Sequence, residues 1–575
     1  MLHRICRLGA LALVVLYLSP LGCSALVKGQ DGEGQTLSHA QSFSGAYLAG
    51  RIANANNDPT AAIDYFQQAL AFAPNRPEVA QDLLLLLLSS NQFTKAVELA
   101  TWIETTPEMT RYQGLILAAN AFTRQEFDKV DAWVRLDDAD LMDNLVADLL
   151  TAWRLFGQDD HQAAIKRLEN LEGPIWYDLF RHYHLALMYD LMGDKSQAQA
   201  AFEQALENQE GDASAPDNYE RIIIAYAQHL YKQGERQAAL DLLQKGSEAL
   251  VGRNVFGALR YRIEQNETLP PLVTNASEGA GEVLYNVGTA LNRSGGEFYA
   301  RLYLNIALGL RPLHDATLFQ LAEISVRTGQ VSSSFTLYQQ IAPGSLYFYD
   351  GQWRLSLALA DQDQSEQAID LLKTLLKTYP DDDNLIAALA SIHMQDKDFS
   401  AVVTQLDSYL DKKEAMSDKI PEEQWRLYFQ RGIAHERLQQ WPEAEADFRL
   451  SLTLMPEQPQ LLNYLGYSLI DRNMKLDEAL DMVRRAAALR PRDGAIIDSL
   501  GWAYYKLDRL ESAIESLEQA VQLRPEDPTI NDHLGDAYWR VGRKFEAVFQ
   551  WNHALAGDPE PEDRERIEAK LENGL

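Results

Sequence analysis

Proline recurs late in this 575-residue chain at a nearly fixed step: Pro456, Pro491, Pro525 and Pro559 stand 35, 34 and 34 residues apart. Twelve residues before each lies an alanine (Ala444, Ala479, Ala513, Ala547), and earlier still a glycine (Gly432, Gly466, Gly501, Gly535). Tyr504 and Tyr538 follow their glycines by three places, and Phe448, Leu517 and Trp551 follow their alanines by four. A unit of that length holds two amphipathic helices and a turn. Small residues let the two helices cross closely, and large ones fill the space between neighbouring units. Proline ends the second helix, because it has no amide hydrogen and restricts the residue before it. Such units bury their cores only against one another, so the chain must form a stack.

These positions resemble the tetratricopeptide repeat, a helix–turn–helix of 34 residues. The resemblance implies an all-α fold, a right-handed superhelical solenoid. The register runs backwards through Ala62, Ala96, Val130, Ala164 and Ala198, then through Ala300, Ser334, Ala368 and Val402, with Ala238 standing alone between the two series. Gly50, Phe66 and Pro74 support the first unit, and Gly288, Leu304 and Pro312 a later one. The anchors count about fourteen units. The longest interruption, NETLPPLVTNASEGAG from Asn266 to Gly281, carries paired prolines and small residues and reads as a linker. The expected organisation is therefore an N-terminal array over 44–264, a linker or irregular insertion over 265–281, a C-terminal array over 282–560, and a charged capping helix over 561–575.

Composition agrees with such a stack and removes several classes of function. Hydrophobic residues make up 46%, too many for a disordered chain. Lys+Arg number 52 against 83 Asp+Glu, a net charge of −31 that repels phosphate backbones, so no nucleic-acid partner is expected. Two cysteines exclude a disulfide framework and any multi-cysteine metal site.

The chain begins MLHRICRLGALALVVLYLSPLGCSA. Arg4 and Arg7 precede an apolar run from Leu8 to Leu18, too short to span a bilayer and typical of a secretory signal, here 1–22. Leu21-Gly22-Cys23 resembles the lipobox of bacterial lipoproteins, with Pro20 where leucine is usual. That resemblance implies acylation of Cys23. With Ser24 following, it also implies sorting to the periplasmic side of the outer membrane. Residues 23–43 then form the lipid anchor and a polar, flexible tether.

In the tetratricopeptide family the first helix of each unit lines the concave side. Carried onto this sequence, the groove-lining positions are Asn463 and Tyr467, then Asp498, Trp502 and Tyr505, then Asp532, Asp536, Trp539 and Arg540. Aromatic anchors beside carboxylates suit a peptide with apolar and basic side chains. Binding through those carboxylates should weaken as salt rises. Asp498 and Asp532 stand where carboxylate-clamping relatives place Lys and Asn, so a ligand's chain-terminal carboxylate would be repelled.

Catalytic patterns are missing. His435-Glu436-Arg437-Leu438-Gln439 lacks the second histidine of a metalloprotease helix, and His182 and His184 lie on different helix faces. No enzyme activity, metal or cofactor is expected. Residues 424–575 resemble a group of proteobacterial envelope tetratricopeptide lipoproteins. The best-understood type there is an outer-membrane adaptor that binds a periplasmic C-terminal processing protease and presents substrates to it. The resemblance implies a non-catalytic, lipid-tethered adaptor with a protease and its clients as partners. The alternative is an assembly factor for an envelope machine such as a pilus, polysaccharide export or outer-membrane protein biogenesis.

Overall fold

The computed structural model describes residues 40–575 apart from 57, 104–109, 135–138, 208–214, 251, 294 and 418. The signal segment 1–22, Cys23 and the tether as far as residue 39 lie outside the described residues. Among those described, every regular element is a helix, and the helices follow one another mostly as packed antiparallel pairs. The first helix begins at Phe43, one residue inside the expected tether, where the Ser42 hydroxyl accepts the Gly45 amide.

The repeat is visible in the backbone itself. Asn91, Gln125, Asp159 and Gly193, each 34 residues after the last, take left-handed φ values of 56°, 57°, 62° and 77° in the turn inside their pairs. Gly329, Asp363 and Lys397 do the same. Aspartates begin many helices: Asp58, Asp160, Asp382, Asp398, Asp493 and Asp527 each accept amides of the following turn.

The glycine and alanine positions behave as the period demands. A Cβ added to Gly432, Gly466, Gly501 or Gly535 would come within 2.5–2.8 Å of Phe448, Val483, Leu517 and Trp551 respectively. Each of those is the residue four after the anchor alanine. Gly50 meets Phe66 and Gly288 meets Leu304 in the same way. The anchors are buried from Ala62 to Ala547, with one correction. Ala238 is exposed, and its neighbour Ala239 fills the anchor position, because the segment before helix Pro216–Lys232 adds seven residues to the period.

The described residues divide into two compact units at Gln362/Asp363. The expected boundary at 265–281 is therefore corrected. Only residues 265–275 are irregular; Asn275 caps a helix at Ala276–Leu291 that buries twelve of its sixteen residues. That helix packs against helices Arg111–Thr123, Leu141–Gly157, Tyr177–Met192 and Pro216–Lys232. Its partner, Glu297–Leu310, packs against Pro77–Ser89, Phe93–Ile103 and Arg111–Thr123. The pair is thus an inner hairpin lying along the first helices of the preceding repeats. Its small residues serve close contact and not looseness: a Cβ on Gly279 would stand 2.3 Å from the Trp153 ring.

A buried charge pair sits at the centre of this contact. Arg221 donates from Nε and Nη2 to Glu282 at 2.9 and 2.7 Å, and Tyr183 Oη donates to the same carboxylate at 3.0 Å. Burial pushes Glu282 upward, yet the Arg221 charge and hydrogen bonds more than offset it and hold the carboxyl below its ordinary value.

In the second unit, helix pairs from Asp383 to Ala556 stack in order and share a continuous core running from Ile433 through Phe448, Val483 and Trp502 to Ile530. A second cluster around Trp551 and Tyr538 takes in Ile567 of the final helix, Pro561–Asn573.

Candidate functional site

The predicted site residues fall in register on the first helices of the last three pairs, Pro459–Asp471, Gly494–Lys506 and Pro528–Arg540. Asn463, Asp498 and Asp532 form one row, and Tyr467, Trp502 and Asp536 a second, at steps of 35 and 34. One further step of 34 reaches Arg566 and Lys570 of the terminal helix. The terminal helix therefore occupies the place of another first helix, and its two cations arrive opposite the carboxylates.

That arrangement corrects the expectation of an open acidic groove. Lys570 Nζ lies 2.7 and 2.9 Å from the Asp532 oxygens and 2.7 and 2.8 Å from those of Asp536. Arg566 adds a contact to Asp532 at 3.1 Å. Asp536 also accepts the Trp551 indole N–H at 3.0 Å. One row back, His533 Nδ1 is 2.9 Å from Asp498, whose side chain is fully buried. The physical reason is plain: a carboxylate taken out of water needs a cation and hydrogen-bond donors close by. Burial, and then the neighbouring Asp532 charge, raises Asp536 above the usual carboxylate range in spite of Lys570. For His533 burial works downward, but the Asp498 carboxylate wins and the imidazole is raised.

The aromatic residues are brought together as a packed run. Trp502 lies flat on His533, with centroids 4.0 Å apart and planes 12° apart, and on Tyr505 at 4.6 Å and 7°. Trp502 is 7% exposed. Trp539 rests against Trp551 at 5.2 Å, with the Lys544 amine 3.3 Å above its ring. Arg540 stands at the surface, paired with Asp508 at 2.7 Å, its guanidinium over the Tyr505 ring. Tyr467 is largely buried, and burial first, then Asp498, pushes its phenol up. Asn463 Oδ1 and Trp502 Nε1 are buried without a hydrogen-bond partner. The sequence reading missed His533, Arg566 and Lys570, although the same period, counted once more, points to the last two.

Among the described residues no group of three or more His, Cys, Asp or Glu side chains could hold a metal ion, and no helix is long and apolar enough to cross a membrane.

Models of the tetratricopeptide repeat match residues 36–77, 181–212 and 350–382, and a TPR repeat model matches 501–542, which holds Trp502 through Arg540. The chain carries tetratricopeptide repeats and folds as their solenoid. Repeats of this kind form protein–protein interaction scaffolds, and the described residues are built of helix pairs of that form. A curated relative, TPR repeat-containing protein PA4667 of Pseudomonas aeruginosa, is 28% identical over 201 residues, 34% of this chain. The match spans about a third of that relative's length, 32%. Similar solved structures include the APC/C hetero-tetramer Cut9–Hcn1, 15% identical with a TM-score of 0.37, covering 93% of this chain and 97% of that one. Another is a tetratricopeptide repeat protein from Parabacteroides merdae, 14% identical with a TM-score of 0.36, covering 45% of this chain and 99% of that one.

Proposed function

We propose that this protein is a non-catalytic adaptor, held by an acylated Cys23 at the periplasmic face of the outer membrane, that brings a C-terminal processing protease together with its substrates. The observation that carries the reading is the face built by the last three repeats, where aromatic rings and charged groups replace the alkyl side chains of the core. Tyr505, Trp539 and Arg540 are the parts of it that a partner reaches. Holding protease and client on one array raises their local concentration without any catalytic group on the scaffold.

The test is reconstitution. Purified chain is added to a serine protease of the C-terminal processing type and an envelope hydrolase substrate, and the cleavage rate is followed. Faster cleavage that is lost in Trp539→Ala supports the reading; an unchanged rate with no measurable protease binding overturns it. Mass spectrometry of the native N-terminus tests the anchor separately: diacylglycerol on Cys23 is expected. Co-purification with a secretion or pilus component in place of the protease would favour the assembly-factor alternative.

A further inference from the structure

We infer that the last step of the concave face is a receptor for a basic helix of a partner protein, and that the Pro561–Asn573 helix is its resident occupant. The ligand is a helical segment with an arginine and a lysine four residues apart and an apolar residue after the arginine. This rests on the scaffold reading and names the ligand class of the same face.

The seat and its occupant differ in how they are built. Helix Pro528–Arg540 buries ten of its thirteen residues, whereas the terminal helix buries only Ile567 and Lys570. The rest of the terminal helix is mostly charged and turned to water, so its hold comes from Ile567, the partly buried Leu571 and the contacts of Lys570 and Arg566 with Asp532 and Asp536. A helix attached so sparsely exchanges more readily than one of the core.

The seat also extends beyond the two carboxylates that hold its occupant. Its two rows continue past Asp532 and Asp536 to Asp498 and Trp502, and then to Asn463 and Tyr467. Trp502 Nε1 and Asn463 Oδ1 are buried there with no partner, a donor and an acceptor that the resident helix leaves unmet. A chain carrying a net charge of −31 attracts cationic segments of other proteins.

The test uses the full chain and a labelled peptide identical to residues 561–575. In the wild type the tethered helix has the advantage of effective concentration, so the free peptide is expected to bind poorly. R566Q/K570Q loosens the resident, and the peptide should then bind at least about tenfold more tightly. That gain should vanish when D532N/D536N is added, or when the peptide itself carries Gln at both basic positions. Ile567→Ser loosens the resident without altering any charge and should reproduce the gain; circular dichroism and hydrogen exchange show that each variant keeps its fold.

Retained exchange protection of the terminal helix in R566Q/K570Q would overturn the inference, because the cations would then not seat it. Loss of protection without peptide binding in either loosened variant would overturn it as well. A doubled mass in light scattering would make a second copy of this chain the occupant and remove the partner helix. Protease capture without peptide binding sinks this inference and leaves the adaptor reading standing; peptide binding without protease capture does the reverse.

Discussion

The two units use the inner face of the same repeat in opposite ways. In the first, a complete hairpin, Ala276–Leu310, lies along the first helices of five earlier pairs, with twelve buried residues in its first helix alone and a fully buried Arg221–Glu282 pair at its centre. In the second, the corresponding face of the last repeats meets a terminal helix with two buried residues, tied by Lys570 and Arg566. A tetratricopeptide array thus converts its inner surface into core when the chain supplies an apolar filler, and leaves it polar and sparsely covered when the filler is short and ionic.

The sharpest way to break this comparison is Glu282→Ala. It leaves Arg221 buried without its counter-ion and should cost the first unit about 3–5 kcal/mol. Hydrogen exchange followed by segment should show the loss in residues 40–362 and not beyond Asp363. Next comes Ile567→Ala, expected at about 2 kcal/mol because the site lies at the end of the stack. Its exchange signature should be confined to the terminal helix and its immediate neighbours. Equal loss across 363–575 would mean that the terminal helix is core after all. Gly279→Ala should destabilise the inner hairpin by about 1–2 kcal/mol by pressing a methyl into the Trp153 ring.

Acidity should separate the units by sign. His184 in the first unit is held at about 4 by burial, with the Trp153 indole donating to its Nδ1, and His314 is pushed well below 6.5 by burial and by Arg311 and Arg221. A lowered imidazole contributes its stability above the unfolded value and loses it as pH falls through that value towards the folded one. His533 in the second unit is raised, so its contribution is full below the unfolded value and fades as pH rises through the folded one. The histidine-dependent part of a pH titration should therefore slope in opposite directions, and H184Q and H533Q should flatten their respective segments. The smallest effect should come from Arg540→Ala, whose exposed pair with Asp508 is worth at most about 0.5 kcal/mol in a melting curve.

Much of this was legible in the residues. The glycine at each crossing and the large side chain four places after each alanine found one another as the spacing required, from Gly50 with Phe66 to Gly535 with Trp551. The inner hairpin was not legible as such, because Gly279, Ala280 and Gly281 have the composition of a loop and of a tight helix contact alike. What separates the two is the bulky ring opposite, and Trp153 lies more than a hundred residues away. Ala238 lost its place to Ala239 because the longer step from Ala198 shifts the phase by a number that composition does not supply. On the last three repeats the rows fall in register, but the pairing of their carboxylates was not foreseen: an aspartate in a helix row reads as exposed until the cation one period later is set against it.

The ring of His533 lying flat on that of Trp502 has a spectroscopic consequence. An imidazolium stacked on an indole draws off its excited state, so whatever parts the last two repeats, or removes the imidazole's proton, should brighten and shift the tryptophan emission. The end of the array carries its own optical gauge of strain.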